Sequence, residues 1–268
     1  QVIPWDAIIG GRAEAKKHEV PAPGEDWEFE GLPRFLAALF KDSEYVGFNT
    51  AVQTRDGGKA VPSGWGEYKQ TCAELRAALG DSRASETVHS SEHGGWIRLN
   101  PVDGKGIKDE NVTAFRHVLV ESDTLPIAEQ WGIVNRLRLP VSTCVHSGGK
   151  SLHFAVKIEA PDRPEYDRRV ALLFEFLGAR GLPVDKQNKN PGRLSRLPGV
   201  FRGDKPQYLV ATNLGFPSWA EFEASIAAPE DAKPDRLIET DIRGWTTTPA
   251  PATTYVFDRL VPTGIVCG

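Results

Sequence analysis

Two apolar runs, Val141-Ser-Thr-Cys-Val145 and Leu152-His-Phe-Ala-Val-Lys157, are separated by little more than the glycine-rich segment Ser147-Gly-Gly-Lys150. Both runs are rich in residues that fit a pleated strand. A connection this short can join only antiparallel neighbours, because parallel strands need a crossover of about a dozen residues or more. A hairpin therefore sits near the middle of the chain. With helical segments on both sides of it, the fold class expected is a mixed α/β domain with an antiparallel sheet, not a doubly wound parallel one.

The remaining elements follow from periodicity and punctuation. Apolar spacing predicts helices over Pro33–Asp42, Pro126–Leu137 and Pro164–Arg180, the last stopped by Gly181. Thr71-Cys-Ala-Glu74 is a capping-box pattern opening a helix to Leu79, and Ser218-Trp-Ala-Glu221 opens another to about Ala227. Strands are expected over Tyr45–Thr54, Trp96–Asn100, His117–Glu121 and Tyr208–Ala211. Residues 1–31 have no clear period and are expected to be a loosely packed lead-in to a domain spanning 32–228. The Pro-, Thr- and Ala-rich stretch 229–254 reads as a linker.

Composition narrows the setting. Of 268 residues 40% are hydrophobic and 25% charged, as in soluble globular proteins. No run approaches the ~20 apolar residues of a membrane span, and the first residues lack a signal-peptide layout, so no membrane partner is expected. The 3 cysteines, Cys72, Cys144 and Cys267, are odd in number and far apart, which points to a reducing cytoplasm. A net charge of −4 argues against general nucleic-acid binding. Between Arg180 and Tyr208, however, Arg180, Lys186, Lys189, Arg193, Arg196, Arg202 and Lys205 face only Asp185 and Asp204. Such a basic stripe suits a polyanionic substrate.

From Glu121 to Gly199 chemistry-bearing residues occur in one order. Glu121 and Asp123 follow the apolar Val118-Leu119-Val120 at a spacing that puts both on one face of a strand, where hard oxygen ligands can grip divalent cations. Ser151 and His153 repeat that spacing after the Ser147–Lys150 turn, so both can face one anionic group. Asp185 ends Gly181-Leu-Pro-Val-Asp185 and offers a third carboxylate, and Arg193-Leu-Ser-Arg196-Leu-Pro-Gly199 follows. Metal together with hydrogen-bond donors is what phosphoryl or nucleotidyl transfer requires.

This order resembles the archaeo-eukaryotic primase superfamily, above all the primase-polymerases of phages, plasmids and other bacterial mobile elements. Its acid-x-acid, Ser-x-His and single-aspartate motifs match Glu121/Asp123, Ser151/His153 and Val184-Asp185, although many relatives carry aspartate first. The resemblance covers roughly Trp96–Ala211. It implies an N-terminal αβ unit and an RRM-like antiparallel sheet with the acids in the cleft between them. It further implies a two-metal nucleotidyl transferase that copies single-stranded DNA from NTPs or dNTPs. In that reading Glu121, Asp123 and Asp185 are catalytic and hold Mg²⁺ or Mn²⁺, while Ser147, Lys150, Ser151, His153, Arg193 and Arg196 contact the nucleotide or template. Residues 255–268 resemble the lead-in to a RecA-like ATPase, which implies a longer primase–helicase chain, although no phosphate-loop motif occurs.

Rival readings remain open at this point. A catalytically inactive replication-initiator or helicase-attached module would bind single-stranded DNA through the same basic stripe. A replication endonuclease would need a His-x-His pair, which the chain lacks. Cys72, His89 and His93 include a His-x3-His spacing reminiscent of zinc, but no fourth ligand lies nearby.

Overall fold

The computed structural model describes residues 19–54, 60–64 and 66–227; the expected linker and the ATPase lead-in lie outside them. The N-terminal part runs α1 (Trp27–Leu39), β1 (Phe48–Asn49), β2 (Val52–Thr54), β3 (Ala60–Pro62), α2 (Cys72–Leu79), α3 (Ala84–Thr87) and β4 (Trp96–Arg98). Then follow β5 (Phe115–Val120), α4 (Ile127–Arg136), β6 (Val141–Ser147), β7 (Leu152–Ala160) and α5 (Arg163–Ala179). The chain continues through β8 (Leu194–Arg196), β9 (Val200–Arg202), β10 (Lys205–Leu214) and α6 (Trp219–Ala227).

The hairpin expected from the sequence is β6–β7, with Val145 opposite His153 and Cys144 opposite Phe154. It forms the middle of a five-stranded sheet in the order β5-β7-β6-β10-β9, antiparallel throughout. The class is thus mixed α/β around an antiparallel sheet. Its long strands come in the order β-α-β-β-α-β of split-βαβ units, with the last, β10, beside β6.

Alternation along the strands divides the core in two. Val118, Val120, Cys144, Phe154 and Val156 pack with Trp131, Val134, Tyr166, Leu173 and Phe222 of α4, α5 and α6. Leu119, Val145 and Ala155 pack with Leu32, Phe35, Leu36 and Leu39 of α1, and with Leu75, Leu79 and Ile97. Both faces of the sheet are covered, which is why its strands read as nearly continuous apolar runs. Each Leu or Phe buried in this way contributes about 1.5–3 kcal/mol.

Some elements depart from the sequence expectation. Helix α1 begins at Trp27, inside the expected lead-in, and carries Pro33 in its interior. Proline there forfeits one backbone hydrogen bond, and the buried stripe Leu32, Phe35, Leu36 and Leu39 holds the helix together across it. The expected strand over Tyr45–Thr54 is broken: β1 pairs with β4, while β2 forms a separate ribbon with β3. Strand β5 stops at Val120, so Glu121 stands just beyond it. The arginine-rich segment, to which the sequence assigns no element, contains β8 and leads into β9; β8 adds to a second sheet in the order β1-β4-β8.

The Pro-Gly that ends this segment has a packing cause. Gly199 has φ +88°, and a Cβ there would come within 2.7 Å of Ala84 Cβ and 3.3 Å of the Glu28 carbonyl. Only glycine lets α1 and α3 close over this turn.

Candidate active site

The loop after α5 is tied to the end of β5 by backbone: the Asp185 N–H donates to the Glu121 carbonyl over 3.3 Å. Two acids far apart in sequence thereby become neighbours. Asp185 then caps a 3-10 turn over Lys186–Lys189, its carboxylate accepting the Gln187 N–H at 2.9 Å. Within that turn Asn188 is fully buried. Its amide nitrogen donates to Glu121 Oε1 at 3.0 Å, and its amide oxygen accepts from Arg193 Nε at 2.7 Å. An Arg193 nitrogen lies 3.8 Å from Asp185 Oδ2, completing a ring of Glu121, Asn188, Arg193 and Asp185.

His153 enters from β7. Its Nε2 is 2.7 Å from Glu121 Oε2, with both side chains nearly closed to solvent. Its Nδ1 accepts the backbone N–H of Arg196 at 3.2 Å and also lies 3.2 Å from the Ser195 hydroxyl. An acceptor at Nδ1 leaves the proton on Nε2, directed at the carboxylate. Burial by itself would raise the pKa of Glu121. The His153 ring and its hydrogen bond, the Asn188 hydrogen bond and the Arg193 charge outweigh burial and hold the group at about 2. Glu121 is therefore anionic at neutral pH.

Asp123 stands apart from this ring. Both acids lie past the strand end, so the expected common face is not formed: Glu121 is drawn into the ring, while Asp123 is exposed and pairs with exposed Lys150 at 3.7 Å. A pair of that kind contributes about 0–1 kcal/mol.

The turn ahead of His153 is held from inside. The Ser151 hydroxyl donates to the Ser147 hydroxyl at 3.3 Å, and the Ser147 N–H donates to the Ser151 carbonyl at 3.1 Å. Both serines are buried, so they shape the turn instead of lining an open surface. Gly148 has φ +65°, and a Cβ there would lie 3.2 Å from Arg202 Cβ and the Lys205 carbonyl. Next to it a Cβ on Gly149 would lie 2.9 Å from an Arg202 guanidinium nitrogen, so the turn carries cations from Lys150 and Arg202. Arg196 stacks over Trp96 at 4.5 Å and donates to the His93 carbonyl at 3.1 Å.

Sequence reasoning missed two residues that build the site. One is Asn188. The other is Gln130 of α4, fully buried, whose amide nitrogen reaches the carbonyls of Ser122 (3.0 Å), Leu125 (2.7 Å) and Lys150 (3.3 Å). Its amide oxygen accepts the Leu152 N–H at 3.0 Å. Gln130 thereby fastens the acid-bearing loop to the glycine turn. The available signal was a polar residue at helical spacing between Ile127 and Val134, on the apolar face of α4.

Among the described residues no three His, Cys, Asp or Glu side chains are grouped as metal ligands. The zinc spacing also fails to assemble, since Cys72 is buried in the α1-side core. By chemistry the acids still suit a hard divalent cation. Glu121 is ionised, and each of its oxygens accepts one hydrogen bond and so keeps a second lone pair.

No family model matches the chain, and no curated protein does. Among solved structures the chain is similar to the primase-polymerase domain of cyanophage S-2L, with 19% identity, TM-score 0.48, and coverage of 73% of this chain and 96% of that one. It is also similar to the catalytic domain of primase RepB′, solved in complex with initiator DNA, with 14% identity, TM-score 0.47, and coverage of 75% and 94%. A second RepB′ primase structure matches at 16% identity and TM-score 0.41, over 70% of this chain and 56% of that one. Likeness at this level leaves the chemistry to be read from the site itself.

Proposed function

We propose that this chain carries the catalytic domain of a DNA primase or primase-polymerase, joining NTPs or dNTPs on a single-stranded DNA template. The observation that carries the reading is the ring of Glu121, Asn188, Arg193 and Asp185 with His153 bonded into it. It brings Glu121, His153, Asp185 and Arg193, drawn from separate segments, into contact just beyond the end of β5, while the side chains of Asp123 and Arg196 stay outside it.

In this reading Glu121 and Asp185 would hold Mg²⁺ or Mn²⁺, and Asp123 would join them by leaving its exposed pair with Lys150. Bound there, the metal supplies charge neutralisation for a triphosphate and acidifies an attacking hydroxyl. Arg193 is held by Asn188 and Asp185, so its guanidinium is oriented before substrate arrives. Lys150 needs to give up only a weak surface pair with Asp123 to meet a phosphate. Ser147 and Ser151 keep the turn that presents it in shape.

Primer synthesis and extension on single-stranded DNA tests the reading, with Mg²⁺ or Mn²⁺, labelled NTPs or dNTPs, and the Asp123→Ala protein alongside. Products from the native chain that vanish in the variant support it. No product from either protein, with DNA binding intact in both, rejects it in favour of a binding module.

A further inference from the structure

Arg98 closes β4 and belongs to none of the motifs read from the sequence. Only 9% of the residue is exposed. Its Nε is sealed from solvent without a partner, and its guanidinium forms no hydrogen bond or salt bridge among the described residues. The stem crosses Gly47, where a Cβ would come within 3.1 Å of Arg98 Cδ, and the head lies against Gly192, where a Cβ would lie 3.3 Å from Nη1. Asp109 is the acid that acts on it, but that carboxylate already accepts the Gly192 N–H at 3.1 Å and pairs with Arg163 at 3.8 Å.

A second cation shares this side of the small sheet. Trp96 pairs with Arg196 and Arg98 with Leu194 across β4 and β8, so all four point to one face. Arg196 meets a ring and a carbonyl there, and no carboxylate pairs with it among the described residues. Burial lowers both arginine pKa values to about 10, which leaves both charged at neutral pH. Each cation feels a carboxylate only beyond ion-pair distance, Asp109 for Arg98 and Glu121 for Arg196, and burial outweighs that attraction. A buried charge so weakly compensated is unfavourable in the free protein, and a bound anion would offset it. Gly192, against which the Arg98 head lies, immediately precedes Arg193, so this face borders the ring of Glu121, Asn188, Arg193 and Asp185.

We infer that Arg98 anchors a phosphate-binding subsite on the face of β4 and β8 that also carries Trp96 and Arg196. The planar fork of Arg98 offers paired N–H donors matched to phosphate oxygens. The choice of phosphate over other anions rests on the nucleotidyl-transfer reading. The phosphate belongs either to a nucleotide's triphosphate tail or to a nucleic-acid backbone.

The test uses the full chain and its Arg98→Met and Arg98→Lys variants. Thermal melting is followed with and without tripolyphosphate, and binding of a labelled oligothymidylate by fluorescence anisotropy. Unliganded R98M is expected to melt at or above the native temperature, because a buried charge without a direct ion pair is gone. Its affinity for one or both probes is expected to fall about tenfold to a hundredfold, with R98K intermediate. Loss confined to tripolyphosphate assigns the subsite to the nucleotide tail; loss confined to the oligonucleotide assigns it to the backbone. Native affinity for both probes in R98M overturns the inference, and so does a lowered melting temperature in both variants with affinity unchanged. These binding readouts hold whether or not the native chain makes polymer, so failure of the catalytic reading is seen separately.

Discussion

The His153 imidazole and the Glu121 carboxylate stand 2.7 Å apart, with Nδ1 of the same ring taken by the Arg196 amide. The ring therefore has one donor, and it is committed to the acid. An incoming phosphate reaches His153 only by competing with Glu121, and neutralising Glu121 is what releases the donor. Occupancy of the acid and availability of the histidine are in this way coupled.

Asn188 touches both Glu121 and Arg193 while being closed to solvent. Asn188→Ala is expected to lower metal affinity or nucleotide incorporation about 10- to 100-fold, the usual effect of losing a residue that orients a ligand. Manganese titration and primer-extension rates measure the two.

Gln130 satisfies the buried backbone groups of Ser122 and Leu152 and reaches the partly buried carbonyls of Leu125 and Lys150. Gln130→Leu keeps the volume but orphans them, at about 1–3 kcal/mol for each group left buried and unpaired. A drop in the urea midpoint together with reduced activity is the expected outcome. A stability equal to native shows that water replaces the amide.

His117 is held neutral inside β5, its Nδ1 at 3.2 Å from the Leu99 carbonyl and its Nε2 at 2.9 Å from the Ser142 hydroxyl. Burial first, and the neighbouring Arg116 charge second, push its pKa from 6.5 down to about 3. The unfolded chain takes up this proton near 6.5 and the native chain does not. The stability it confers is therefore complete above pH 6.5 and is lost as pH falls toward about 3. The expected slope is about 1.4 kcal/mol per pH unit. Urea unfolding across this window checks it, and His117→Gln flattens the slope.

Lys150 and Asp123 form an exposed pair. Lys150→Ala is expected to change stability by less than about 1 kcal/mol. In the proposed reaction it raises KM for the nucleotide with a smaller effect on kcat, which steady-state kinetics separates.

What the sequence disclosed was local. The Thr71–Glu74 capping box, the Ser218–Glu221 cap and the β6–β7 hairpin depend on a few adjacent residues, and each forms. Helix α5 announced itself through Pro164 near its start and Gly181 just past its end. Strands β8 and β9 did not, because three residues are too few to alternate, and β8 is held by Trp96–Arg98 from elsewhere in the chain. The site divides in the same way. His153 and the acids were visible as residue types in order. Of the partners that hold them, Asn188 and the Arg196 amide are contacts with no periodic trace, and Gln130 left only its place on the apolar face of α4.

The two cores on opposite sides of the sheet limit how this domain can change over time. In β7, Phe154 and Val156 serve one core, while Ala155 serves the other and His153 faces the acid. Inserting a single residue within the strand would exchange those assignments, sending the imidazole among the helices and a phenylalanine against Glu121. Drift in length is thus confined to the connections, and an alignment gap of one residue inside β7 marks either an error or a protein with a different chemistry.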